Sequence, residues 1–217
     1  MAVPADARPV ASEPSLIADP APLGLAGFAL TTFLLSGHNA TFIPDLIWVA
    51  PALFYGGLAQ LCAGMWEFKN RNVFGATAFS TYGAFWLALG IFVTFLTLSK
   101  NFAGAITANP HDVPNALAWF LVSFAIFNTY MMFWSLRINV AVFTVFLTLE
   151  ITEILLFIGF FYEAHGHANN GWVHTGGWVG IITAAAAWYA SAAGVANGMA
   201  APKRIVPVGR PLWGART

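Results

Sequence analysis

Charge is what this sequence has least of. Only 8% of its 217 residues are Asp, Glu, Lys or Arg, and nine acidic residues balance nine basic ones. A soluble domain coats its surface with roughly 25% charged residues, so a water-exposed globule is excluded. The even balance leaves no basic patch for nucleic acid. Cysteine is almost absent. Cys62 alone cannot close an internal disulfide, and inside an apolar run it reads as a small buried hydrophobe. A phosphate-binding loop, a nucleophile elbow and an HExxH pair are also missing, so nothing points to an ATPase or a protease. No enzyme activity and no cofactor are expected.

What the chain does have is apolar surface: 59% hydrophobic residues, with twenty Phe and nine Trp. Stretches long enough to cross roughly 30 Å of hydrocarbon recur near 22–37, 46–66, 73–98, 116–136, 138–161 and 172–196. They predict an all-α integral membrane protein, a six-helix bundle over residues 21–198. Residues 1–20, rich in Pro, Ala and acid and without an apolar h-region, read as a disordered tail and not a signal peptide. Residues 199–217 read as a Pro-broken basic tail. Six spans put both termini on one side. Arg8, Lys69, Arg71, Arg137, Lys203, Arg204, Arg210 and Arg216 fall on that side, and Lys100 alone on the other. The positive-inside rule makes it the cytoplasm.

Local features leave several readings open. In the second span Pro51 interrupts the hydrogen-bond ladder, Gly56, Gly57 and Gly64 allow bending, and the buried amide of Gln60 needs partners. The span either packs or lines a pore. At the start of the first, DPAPLGLAGF, Pro22 suits a first helical turn and Asp19 a capping position. That start is either an ordinary capped helix or one beginning within the membrane, with free N–H groups aimed at an anion. Ala186, Ala190, Gly194 and Gly198 recur at period four, as do Gly75, Phe79, Gly83 and Leu87 with only Gly75 and Gly83 small. Such stripes pack helices within a subunit or form an oligomer seam. His38, His111, His165, His167 and His174 all sit at span ends or in loops, which argues against axial haem ligands. Glu163, His165, His167 and His174 match no standard zinc spacing, and a solvated loop is expected there.

Three stretches together resemble the acetate uptake transporter family, the succinate–acetate permeases. They are DPAPLGLAGF (19–28), FYGGLAQLCAGMWEF with NVFGATAFSTYGAFW (54–86), and SLRINVAVFTVFLTL with LLFIG (135–159). The resemblance implies a six-helix subunit with its own pore, assembled as a homo-hexamer in the plasma membrane among lipid. It also implies passage of acetate or a related small carboxylate, linked to protons. It maps a pore constriction onto Phe28, Tyr82 and Leu149, a hydrophobic ring that a partly dehydrated carboxylate passes and a hydrated ion does not. Asp19, Pro20, Pro22 and Gly24 form its cytoplasmic mouth, and Gln60, Thr81 and Asn128 are candidates for contact with substrate. The sequence departs from the family at Asp19, where Asn is usual, at Gly194 and Gly198, where acids are frequent, and at Glu150 and Glu153.

Those two glutamates sit near the middle of an apolar run of about 24 residues with no Lys or Arg. Each charge there costs roughly 2.5–3.5 kcal/mol on insertion scales. Leu149 and Glu153 are i and i+4 on one helix face, so a pore-facing Leu149 brings Glu153 with it. Glu150 is turned roughly 100° away, toward a neighbouring helix or subunit. In low dielectric the pair cannot both be ionised, and at least one is expected to carry a proton near neutral pH. Three roles follow: a neutral pair hydrogen-bonded to groups such as Asn128, Gln60 or Thr152, a proton carrier or gate, or a filter against anions. The last would suit a neutral or cationic solute such as ammonia, ammonium or urea. A membrane interaction or sensor protein without transport is the remaining class.

Overall fold

The structure is a computed structural model, which describes residues 17–107, 109–167 and 171–214. Among these residues there are helices and turns and no strand. The helices are α1 (Ala21–Asn39), α2 (Val49–Leu53), a π-helical segment (Phe54–Ala59), α3 (Gln60–Lys69), α4 (Val73–Leu98), α5 (Lys100–Ile106), α6 (Asp112–Ser135), α7 (Val140–Ala164) and α8 (Gly171–Met199). Five of them, α1, α4, α6, α7 and α8, are each long and apolar enough to cross a membrane. The sixth passage is composite: α2, the π-helical segment and α3 follow one another without a break.

Asparagines start two of the helices. Asn72 Oδ1 accepts from the Gly75 amide at 3.1 Å and Asn139 Oδ1 from the Val142 amide at 2.9 Å, so each satisfies a donor that the first turn leaves free. The composite passage changes helix type along its length. Pro51 is in the first turn of α2, where a missing amide proton costs no ladder bond, so the interruption expected there does not occur; the wider π turn begins three residues later, at Phe54. Its backbone lies against α1, where a Cβ on Gly27 would stand 2.6 Å from the Tyr55 carbonyl oxygen. Only glycine fits there.

Neighbours run antiparallel, and distant contacts fix the order. The Ser191 hydroxyl near the end of α8 donates to the Pro22 carbonyl at the start of α1 (2.7 Å). Midway, Thr152 of α7 meets Thr183 of α8 at 3.3 Å. Small residues close the α3–α4 seam inside the subunit: a Cβ on Gly64 would lie 2.5 Å from the Ser80 amide, and one on Gly83 2.6 Å from the Leu61 amide. Gly194 of the α8 stripe likewise meets Pro22 of α1, whereas Gly198 touches nothing within 4 Å. Large apolar side chains such as Phe54, Trp66, Ile126 and Trp178 are exposed around the outside, as a bilayer requires. Cys62 is also exposed on that outer surface, not buried, because the face of α3 carrying it points away from α1 and α4.

The segment after α8 folds back onto the bundle. Asn197 accepts from the amides of Ile205 and Val206 and donates to the Val206 carbonyl. The Ala141 amide reaches the Val208 carbonyl at 3.0 Å, and the amides of Leu212 and Trp213 both reach Leu136. Trp213 stacks on Trp134, with the Arg137 guanidinium 5.8 Å from its ring. Residues 208–214 therefore clasp the α6–α7 turn. Most of the predicted N-terminal tail, residues 1–16, and residues 215–217 lie outside the described residues.

Candidate functional site: a cavity ending at three buried side chains

A cavity of about 450 Å³ is enclosed by α1, α4, α6 and α7. Its mouth is at the end of the bundle opposite Pro22 and Met199, among His38, Asn39, Glu163 and Val173. From there the lining descends each helix at helical spacing: Ser36 and Thr32 on α1, Val93, Leu89, Trp86 and Phe85 on α4, Phe160, Leu156, Glu153 and Thr152 on α7. The innermost lining residues on the three helices are Phe28, Tyr82 and Leu149. They are 5%, 3% and 7% exposed, so the cavity stops there. The three residues assigned by resemblance thus share one level of the bundle.

Aromatic packing holds this floor. The rings of Phe28 and Tyr82 meet edge to face at 5.7 Å, and Tyr82 also lies edge to face with Phe85, Phe127 and Phe146. At its inner end the Tyr82 hydroxyl donates to Asn128 Oδ1 at 2.9 Å. Asn128 in turn donates through Nδ2 to the Phe146 carbonyl at 3.0 Å and to Glu150 Oε2 at 2.6 Å. The Thr129 hydroxyl donates to Glu150 Oε1 at 2.7 Å. All the groups in this network are on α4, α6 and α7.

The two glutamates separate as helix geometry requires. Glu150 faces α6, where Asn128 and Thr129 occupy both its oxygens, and it does not line the cavity. Glu153 is one turn from Leu149, lines the cavity, is 3% exposed and lies beside the Tyr82 hydroxyl. Its Oε2 is buried without a hydrogen-bond partner. A carboxyl oxygen left unpaired in low dielectric is costly, more so when the group is ionised.

The other sequence candidates lie elsewhere. Gln60 is 1% exposed with an unpartnered Oε1, and Thr81 is half-buried, but neither lines the cavity. Asn128 stands behind Tyr82 and reaches the cavity only through it. Asp19 accepts from the Ala21 amide at 3.0 Å, so it braces the first turn beside Pro20 and Pro22. A Cβ on Gly24 would stand 2.7 Å from the Phe79 ring, which makes that glycine a packing position. None of Asp19, Pro20, Pro22 and Gly24 lines the cavity. Around the mouth, His165 Nδ1 is 2.7 Å from the Phe161 carbonyl, His167 stacks on Tyr162, and His174 lies beside Trp178. Among the described residues no three His, Cys, Asp or Glu side chains converge on a metal position.

Sequence reading missed Glu67. It is fully buried, its Oε2 accepts from Asn70 Nδ2 at 3.0 Å, and its Oε1 lacks a partner. It also missed Phe85, Trp86 and Leu89, which follow Tyr82 at i+3, i+4 and i+7. That spacing was available once Tyr82 was placed on the cavity.

Comparison with known proteins gives a consistent set of relatives. The family model described as the GPR1/FUN34/yaaH family matches residues 4–208. Acetate permease A of Emericella nidulans is 43% identical over 188 residues, 83% of this chain and 62% of that protein. The succinate-acetate/proton symporter SatP of Escherichia coli K12 is 38% identical over 196 residues, 89% of this chain and 96% of that one. A solved structure, that of the bacterial acetate channel SatP, superposes with a TM-score of 0.76 at 35% identity, covering 89% of this chain and 99% of that chain. The chain spans about 62% of the length of the Emericella relative.

Proposed function

Because the chain belongs to the GPR1/FUN34/yaaH family, we propose that it carries acetate and related short-chain carboxylates across the plasma membrane, linked to protons. The observation that carries the reading is the cavity that runs in from one end of the bundle and stops at Phe28, Tyr82 and Leu149. Its volume suits a small solute, and its lining is mostly apolar with a few polar groups, the usual make-up of such a site. At the floor a hydrated ion would have to give up its shell against two rings and a leucine, while a small acid passes with less loss. Opening past these three side chains completes the path. The names of the Emericella permease and the Escherichia symporter and channel support the same substrate.

Glu153 is the proton-linked element in this reading. An ionised carboxylate one turn from the narrowest point would oppose an anion strongly at low effective dielectric, so the group serves transport in its neutral form. An ionised carboxylate facing the lumen would favour an ammonium path. Glu150 is turned onto Asn128 and Thr129, and Glu153 is buried beside a phenol, which disfavours the cationic alternative. The distribution of Lys and Arg supports a cytoplasmic position for both termini. Six copies forming a hexamer with one pore each is the assembly that the resemblance implies.

The test is uptake of labelled acetate into proteoliposomes, compared with empty liposomes. Flux above the empty control is expected, and Tyr82→Ala should admit longer monocarboxylates such as butyrate. Unchanged rate and selectivity in Tyr82→Ala would remove the assigned pore. Absence of flux in the wild type would leave a membrane protein of another kind.

A further inference from the structure

Asn128 and Glu150 face away from the cavity, yet their hydrogen bonds determine what its floor can bind. The Phe146 carbonyl can only accept. Asn128 must therefore turn its NH2 toward it, and the 3.0 Å contact is Nδ2 to oxygen. The second proton on Nδ2 goes to Glu150 Oε2. That leaves Asn128 with only its carbonyl oxygen for Tyr82, so the phenol must donate its single proton to it.

Tyr82 then has only lone pairs to offer on its other side, where Glu153 lies. Two acceptors facing each other repel, so the interaction requires the proton to be on Glu153. A neutral Glu153 that donates toward Tyr82 keeps its second oxygen as an acceptor. Glu153 lines the cavity, so that acceptor belongs to a side chain the solute meets. The polarity that begins at Phe146 thus ends at an acceptor on the Glu153 carboxyl.

We propose that Asn128, held by the Phe146 carbonyl and Glu150, is a positioning residue that makes the polar edge of the floor acceptor-only, so that the Glu153 carboxyl takes the O–H of an undissociated carboxylic acid and a bare carboxylate finds no donor there. The inference rests on the reading that small carboxylic acids pass Tyr82. Proton and carboxylate then cross together as one neutral molecule, with no bond made or broken in the protein. The titratable groups around this point are Tyr82 on α4, Glu150 on α7 and Tyr130 on α6. At the distant mouth are His38 on α1 and Glu163 on α7. The described α8 contact nearby, Thr183 on Thr152, carries no charge.

The test measures initial acetate uptake in proteoliposomes at fixed total acetate and rising pH. Well above its pKa the undissociated fraction falls about tenfold per pH unit, and wild-type uptake should fall at least that steeply. Asn128→Leu frees the Tyr82 proton to turn to the cavity, where it can donate to a carboxylate. Anion uptake at high pH should then rise about tenfold or more, the worth of one hydrogen bond to a charged group, and the slope should become shallower. Asn128→Ala should do the same where the leucine is too bulky. Glu150→Gln keeps an acceptor for Nδ2 and should retain the wild-type slope.

In a Tyr82→Phe background Asn128→Leu should leave the slope unchanged, because the phenol through which it acts is gone. A merely structural role for Asn128 would lower uptake equally at every pH and would persist in that background. On wild-type protein, the C–O stretch of isotope-labelled Tyr82, isolated by subtracting the Tyr82→Phe spectrum, should show a phenol that donates. Wild-type acetate flux with an unchanged slope in both Asn128 variants, or a Tyr82 that only accepts, overturns the inference and leaves the transport reading standing. No wild-type flux overturns both.

Discussion

Two seams of the same helix behave in opposite ways. Where α4 meets α3, glycines let the backbones touch: Gly64 lies on Ser80 and Gly83 on Leu61, with no room for a methyl group. Where α4 faces α1, α6 and α7, its next residues along are Tyr82, Phe85, Trp86 and Leu89, and a cavity of about 450 Å³ remains between them. Small side chains close a seam, whereas rings and branched chains packed on one another hold the opposite face apart. Tyr82 and Gly83 are adjacent in sequence, so one step of the helix separates the cavity from a sealed wall.

Breaking the closed side should have the largest effect. Gly83→Val places a side chain where a Cβ alone would be 2.6 Å from the Leu61 amide, and backbone cannot yield as a flexible side chain does. Destabilisation of about 1–3 kcal/mol or more is expected, read as a lower thermal midpoint in detergent. On the open side, Tyr82→Ala also removes a buried, packed ring, and what sets it apart should be a change in the range of acids admitted. Glu153→Gln tests the same wall more finely. A neutral isostere should retain acetate uptake at low pH and remove the part of the fall at high pH that comes from ionising Glu153. Its uptake should parallel the undissociated fraction, about tenfold per pH unit, where the wild type falls more steeply. At the small end, Gly198→Ala adds a methyl group into open space at the end of α8. Stability should change by less than about 0.5 kcal/mol, or rise slightly as helix propensity improves.

The span pattern was legible because hydropathy is a property of length and composition. Predicted 73–98 coincides with α4, and the ends of the other long helices lie within a few residues of the predicted ones, on either side. The π-helical segment was not legible. Pro51, Gly56 and Gly57 announced a weak point, but where along the passage the helix type changes depends on α1 pressing against Tyr55. The split between Glu150 and Glu153 followed from a 100° step per residue and needed no tertiary information. The partners did need it: Asn128 is 22 residues from Glu150 and 46 from Tyr82, and only the packing of three helices joins them. Gln60 and Thr81 attracted attention as polar groups in apolar spans, yet polarity alone does not say which way a helix is rotated. The basic, Pro-rich composition after α8 likewise gave no sign that Asn197 would hold that segment against the bundle.

The central claim is that a small acid reaches and passes the floor beside a neutral Glu153. The most direct measurement is labelled-acetate uptake into proteoliposomes from about pH 5 to about pH 8, with wild type beside Glu153→Gln. Acetate flux in both, with the variant less steep at high pH, is the predicted result. A wild type that passes no acetate while Glu153→Gln does would contradict the account, because the glutamate would then be a barrier to the very solute it is assigned to admit.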